Sequence, residues 1–226
     1  MFRRHDLAWL SASGWRAARA RALPEHAGVI ERWQREDWPA VVRRDDAHAG
    51  AGEVCLGLAL PPHPDSGHKL RIALRVPAGD VARTTPALAL DCLSAALPAL
   101  LPALLPDAWR KDLRLLAADS ADLTFRVYGS LALQAVTAQA YVSPTSDIDL
   151  LFYPASSAQL GLGLALLRKH AGSLPLDGEI VFPNGQAVAW KEWLAAASGN
   201  ARVLVKEQNG VRLVSRDALL ATLEAA

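Results

Sequence analysis

Cysteine is close to absent from this chain. Two occur in 226 residues, Cys55 and Cys92, far apart and without metal-ligand spacing, so neither a disulfide framework nor a zinc site follows from them. Both stand in apolar sequence, the setting of buried reduced thiols. Net charge is lacking too: 24 basic against 23 acidic side chains leave +1, and no global field draws the protein to nucleic acid or to an anionic membrane. Long hydrophobic runs are missing. The uncharged stretch from Cys92 to Pro106 is short for a membrane span and is broken by Pro98, Pro102 and Pro106. The opening MFRRHDLAWLSASGW carries arginines, but Asp6 interrupts it and no apolar core follows, so it does not read as a signal peptide. These absences point to a soluble, cytoplasmic protein with no nucleic-acid or membrane partner.

What is present divides the chain in two. At about 100 to 200 residues per domain, this length suits two small domains of overall α+β class. Residues 1–85 read as a small α+β unit. Val29–Arg35 suits a short helix and Ala40–Arg44 a strand, followed by the apolar run Val54–Leu60 and by Lys69–Val76, whose alternation sets Lys69, Arg71 and Arg75 on one basic face. Residues 86–226 form the larger unit. It begins with a Pro/Leu-rich helical connector over 86–120, too apolar for disorder, to which packing is the only role assigned.

From Leu123 the pattern alternates: strand 123–128, helix near 130–139, strand 148–153, helix near 157–170, strand 178–183. Asn184-Gly185 and Asn209-Gly210 each separate two strand-like segments and read as hairpin turns, which makes the sheet mixed. Ser215 is placed to cap a last helix over Arg216–Leu223. Gly161-Leu162-Gly163 lacks the third glycine of a dinucleotide fingerprint and reads as close helix packing.

Two short motifs carry chemistry. In Ser146-Asp147-Ile148-Asp149 the two carboxylates project from one strand face while Ile148 enters the core. Carboxylates held side by side repel unless a cation lies between them, and Mg²⁺ prefers oxygen ligands. Upstream, Gly129-Ser130 ends a strand and opens a helix, where a glycine lets backbone approach a phosphate and free N–H groups point at it. A third acid should come from the next strand: Glu179 is preferred, with Asp177 second, and an exposed acidic turn is the plainer reading of Asp177-Gly178. Donors for phosphate would be the Gly129 and Ser130 backbone, the Ser130 hydroxyl, Arg126 and Lys191, while Trp190 and Trp193 offer either stacking surfaces for a base or packing for the core.

The order strand, Gly-Ser, helix, Asp-x-Asp, apolar strand resembles the DNA polymerase β-like nucleotidyltransferase superfamily. Arg4-His5-Asp6-Leu7-Ala8-Trp9-Leu10, Val127-Tyr128-Gly129-Ser130, Ser146–Leu151, Asp177-Gly178-Glu179 and Ala189–Trp193 together are similar to the malonate decarboxylase holo-acyl-carrier-protein synthases, which are phosphoribosyl-dephospho-CoA transferases. The resemblance implies a nucleotidyltransferase-fold carboxyl-terminal domain behind the small amino-terminal one. It also implies transfer of the prosthetic group from 2′-(5″-triphosphoribosyl)-3′-dephospho-CoA to a serine of the apo acyl-carrier subunit of malonate decarboxylase, releasing pyrophosphate. Asp147, Asp149 and Glu179 would then be catalytic and hold Mg²⁺, with Gly129, Ser130, Arg126, Lys191 and Trp190 binding substrate. The amino-terminal unit would meet the carrier, through Arg32, Arg35, Arg43 and Arg44 if that partner is acidic. Two other readings keep the same fold: nucleotidyl transfer to another small molecule or protein, and a binding module without catalysis.

Overall fold

The structure is a computed structural model that describes residues 2–93, 107–143, 145–196 and 201–224. Contacts divide it into one unit of Met1–Ala87 with Gln208–Gly210 and another of Leu88–Glu207 with Val211–Ala226. Helices, an antiparallel sheet and a mixed sheet make it an α+β protein, as the sequence implies.

The first unit is an antiparallel five-stranded sheet in the order β4-β3-β2-β1-β5. Its strands are β1 (Leu7–Leu10), β2 (Ala40–Val42), β3 (Glu53–Ala59), β4 (Arg71–Pro77) and β5 (Val81–Thr85). Helices α1 (Ala12–Arg21) and α2 (Ala27–Arg35) bury Trp15, Ala18, Ile30 and Trp33 against Leu56, Leu58, Ile72, Leu74 and Val76. Strand β4 alternates as its sequence does, apolar side chains inward and Arg71 and Arg75 on the opposite face. That basic face is partly neutralised. Asp46 bonds Arg43 Nη2 at 2.6 Å and Arg75 Nε at 3.0 Å, and the Arg43 hydrogen bond, followed by that of Arg75, holds its carboxyl down at about 2. Of the four arginines considered for an acidic partner, Arg43 is committed to Asp46, Arg35 pairs with Glu36, Arg32 stacks on Trp38, and Arg44 is exposed.

The second unit is a seven-stranded sheet in the order β12-β11-β10-β9-β8-β7-β6. The strands are β6 (Leu88–Ala89), β7 (Thr124–Tyr128), β8 (Ile148–Tyr153), β9 (Leu176–Val181), β10 (Ala187–Ala189), β11 (Arg202–Lys206) and β12 (Val211–Ser215). The helices are α3 (Asp107–Asp119), α4 (Gly129–Thr137), α5 (Ser157–His170), α6 (Trp190–Ala195) and α7 (Arg216–Glu224). Among the described residues only β8 and β9 run parallel, and α5 makes the crossover between them. Phe125, Val127, Ile148, Leu150, Phe152, Ile180, Val188, Val203 and Val205 form the buried sheet face beneath α3, α5 and α7. Gly163 lets α5 lie directly on this face, since a Cβ there would come within 2.1 Å of the Phe152 ring, whereas Gly161 faces open space. At its end α3 is fastened to α5, where Asp119 Oδ2 accepts from Lys169 Nζ at 2.6 Å and His170 Nε2 at 2.8 Å, which together lower the Asp119 pKa.

Two expectations change. Strand β9 starts earlier than 178, because Asp177-Gly178 continues the strand instead of turning: Gly178 has φ +132° and a Cβ on it would lie 1.9 Å from the Leu150 carbonyl oxygen. Glycine serves here as the one residue thin enough to let β9 lie against β8. Cys92 is exposed and only Cys55 is buried. Of the Pro/Leu-rich connector, the part over 94–106 lies outside the described residues. Among the described residues no helix is long and apolar enough to cross a membrane.

Candidate active site

The face of the second sheet opposite its core gathers the polar residues singled out in the sequence. Directly paired residues on neighbouring strands point to the same side. The pairings Tyr128↔Asp149, Arg126↔Leu151, Asp149↔Asp177, Leu151↔Glu179 and Ala189↔Glu179 therefore set Arg126, Asp149, Asp177 and Glu179 on one surface.

Its pivot is Gly129. Strand β7 ends at Tyr128, which caps α4 without a side-chain hydrogen bond, and Gly129 makes the corner with φ +68°. A Cβ on Gly129 would lie 2.1 Å from Asp149 Oδ2, so the carboxylate occupies the space a side chain would need. Asp149 is thereby packed against the first residue of α4, and Ser130 follows it in the first turn, where the helix dipole favours negative charge. Asp149 and Gly129 thus share one corner.

Asp147 is exposed and stands just ahead of β8. Its loop is ordered by a residue that sequence reading passed over. Gln134, fully buried on α4, accepts with Oε1 from the backbone N–H of Tyr141 at 2.9 Å and of Val142 at 2.8 Å. The loop closes on itself, with Ser143 N donating to Ser146 Oγ at 2.9 Å and Ser146 N to the Ser143 carbonyl at 3.0 Å. A neutral amide in an otherwise apolar helix was the available signal, because a buried amide must find partners.

The register sets the two candidates for a third acid in different surroundings. Glu179 has a side chain only 4% exposed and its Oε1 takes Lys206 Nζ at 2.7 Å. Asp177, the second choice, sits opposite Asp149 on the parallel ladder and is half-exposed, with Lys191 Nζ at 3.5 Å. The carboxylate adjoining Asp149 is therefore Asp177. Among the described residues no three acidic, histidine or cysteine side chains already converge as a metal cage. The donors present are nonetheless all carboxylate oxygens, the type a hard cation such as Mg²⁺ takes.

The tryptophans do not serve as platforms. Trp190 is 5% exposed and belongs to the core, while Trp193 is fully buried against Phe182, with ring centroids 5.3 Å apart, beneath the Arg216 guanidinium at 4.4 Å. Lys191, next to Trp190, turns outward.

Comparison with known proteins covers most of the chain. The model of the phosphoribosyl-dephospho-CoA transferase MdcG amino-terminal domain matches residues 3–87, and that of the MdcG carboxyl-terminal domain matches residues 93–217. Proteins named phosphoribosyl-dephospho-CoA transferase are similar to it. That of Xanthomonas campestris pv. campestris (strain 8004) is 38% identical over 96% of this chain and 95% of its own. The one from Xanthomonas euvesicatoria pv. vesicatoria is 35% identical over 99% of each. The one from Bradyrhizobium diazoefficiens is 37% identical over 94% of this chain and 90% of its own. No solved structure matches the chain significantly. With both domain models matched in order and the Gly129 corner and Asp149 inside the second, the chain belongs to the phosphoribosyl-dephospho-CoA transferase family and is an enzyme of the transferase class.

Proposed function

We propose that this protein transfers the phosphoribosyl-dephospho-CoA group from 2′-(5″-triphosphoribosyl)-3′-dephospho-CoA to a serine of the apo acyl-carrier subunit of malonate decarboxylase, in the cytoplasm. The observation that carries the reading is the Asp149 carboxylate packed on Gly129 at the start of α4, with Asp177 beside it. A helix start is suited to phosphate, a carboxylate pair to a divalent cation, and the substrate of this reaction brings both together.

The serine oxygen forms a bond to the phosphorus attached to the ribose, and the bond from that phosphorus to the diphosphate breaks. The hydroxyl proton passes to a carboxylate of the site, and pyrophosphate leaves. Asp147 and Asp149, with Asp177 adjoining, would hold Mg²⁺, which when bound supplies charge neutralisation for the phosphates. Gly129 and Ser130 offer backbone N–H groups at the helix start, and Arg126 and Lys191 offer positive charge on the same side. The nucleotidyltransferase-type arrangement of Gly-Ser and Asp-x-Asp belongs to this reading, as does a carrier-binding role for the first unit.

The test is incubation of the purified chain with apo carrier protein, the triphosphoribosyl donor and Mg²⁺. The expected result is a carrier heavier by one phosphoribosyl-dephospho-CoA group and release of pyrophosphate. Label entering an acceptor from ATP, with none from the triphosphoribosyl donor, would overturn the assignment in favour of ordinary nucleotidyl transfer.

A further inference from the structure

We infer that Lys206 grips the diphosphate end of the donor and that Glu179 is the positioning residue that holds it there. This rests on the reading above and adds a residue to it. A carboxylate as enclosed as Glu179 needs a cationic or hydrogen-bonding partner, and Lys206 Nζ at 2.7 Å is one. Such a pair is a poor way to gain stability, because removing two charges from water offsets most of their attraction and apolar residues would do as well. Its geometry is one-sided: the Glu179 side chain is 4% exposed and that of Lys206 37%. An ammonium has three donors, so with Glu179 engaged Lys206 still presents N–H groups outward.

Register puts that ammonium on the working surface. Ala187 pairs with both Val181 and Lys206, and Ala189 pairs with Glu179, so Lys206 shares the face of Glu179, Asp177 and Asp149. Glu179 lies two residues along β9 from Asp177, about 6–7 Å at the rise of a strand. A diphosphate with one end at the Asp149–Asp177 corner has its other end within reach of Lys206. Carboxylates alone would repel that anion, and a fixed positive charge offsets the charge that builds on it as the phosphorus–oxygen bond breaks. A lysine suits the task because a compact charge follows a phosphate whose geometry is changing, where an arginine fork would fix it. Lys191 is the contrast: its ion pair with Asp177 is longer, at 3.5 Å, and the lysine is 56% exposed, an arrangement from which little energy is expected.

The experiment measures inorganic pyrophosphate binding to the full chain by calorimetry in the presence of Mg²⁺, alongside KM for the donor and kcat. Lys206→Met should weaken pyrophosphate about 10- to 100-fold, the range of a charge-assisted hydrogen bond, and raise donor KM. Lys206→Arg should bind pyrophosphate within about threefold of wild type, since charge is retained, and show its loss in kcat, since the fork does not follow the changing phosphate. Glu179→Gln should fall between them, with KM moving more than kcat. A second measurement on the wild-type chain is independent of how the variants fold: acetylation of single lysines followed by mass spectrometry. Pyrophosphate should slow labelling of Lys206 about tenfold and leave Lys169 unaffected. Equal labelling of Lys206 with and without pyrophosphate, or unchanged pyrophosphate affinity in a folded Lys206→Met, overturns the inference. If the wild-type chain fails to modify the carrier but Lys206 is still protected, the functional reading falls and the anion site stands.

Discussion

Replacing Gly129 by alanine tests the corner most directly, and three glycines with positive φ allow its cost to be divided. At Gly185, with φ +83° and nothing within 4 Å of an added Cβ, alanine meets only the left-handed backbone, a loss of about 1–2 kcal/mol. At Gly129, with φ +68°, the same conformational cost applies, and the Cβ also lands 2.1 Å from Asp149 Oδ2. Relief requires the carboxylate to retreat by about 1 Å, and a misplacement of that size costs about 100-fold in rate at a positioned group. At Gly178 the obstacle is the Leu150 carbonyl at 1.9 Å, which cannot move without opening the β8–β9 ladder. Gly185→Ala should therefore lower the melting temperature by about 2–8 °C and leave carrier modification intact. Gly129→Ala should show a similar thermal shift with carrier modification down about 100-fold. Gly178→Ala should unfold the second unit or destabilise it more than either. Mass spectrometry of the carrier over time, with thermal unfolding in parallel, reads all three. Wild-type turnover by Gly129→Ala would refute the placement of Asp149 at the reacting centre.

Other perturbations follow from the packing. Gly163→Ala should cost about 1–3 kcal/mol by forcing the Phe152 ring aside, whereas Gly161→Ala, in open space on the same helix, should gain up to about 1 kcal/mol; chemical denaturation of the two compares them. Gln134→Leu should remove the acceptor from the Tyr141 and Val142 amides, costing about 1–3 kcal/mol and speeding their hydrogen exchange ahead of the neighbouring strands. Asp46, held near 2 by Arg43 and Arg75 against an ordinary 3.8, contributes stability that is complete above about pH 4 and lost as pH falls towards about 2. Asp46→Asn should flatten that acid limb in urea titrations, and an unchanged limb would show that other carboxylates govern it.

Much of the second unit was legible because its signals are local. Asn184-Gly185 and Asn209-Gly210 announce their own turns, Ser156 accepts from Gln159 N at 3.2 Å as a helix cap, and Ser215 accepts from Ala218 N at 3.3 Å. Elements without local contrast escaped. Strand β5, Val-Ala-Arg-Thr-Thr, is an edge strand with no buried face, so no alternation marks it. Helix α1 buries Gly14, Trp15 and Ala18, two of them too small to stand out. At the candidate site, Gly129 and Asp149 could be singled out from local pattern, and the structure brings the two together. The preference between Asp177 and Glu179 was not legible, because it turns on where β9 begins and on a lysine delivered by β11. Nothing near Glu179 in the chain points to Lys206. Trp190 and Trp193 look alike as platforms or packing until the core is assembled.

The loop ahead of β8 is tied down by an uncharged group. An amide neither titrates nor is screened by salt, so the restraint Gln134 places on the approach to Asp147 stays the same in dilute buffer and in concentrated electrolyte. Ionic strength can then weaken how the enzyme collects its anionic substrate without loosening this part of its scaffold, and the two contributions become separable with nothing more than added potassium chloride.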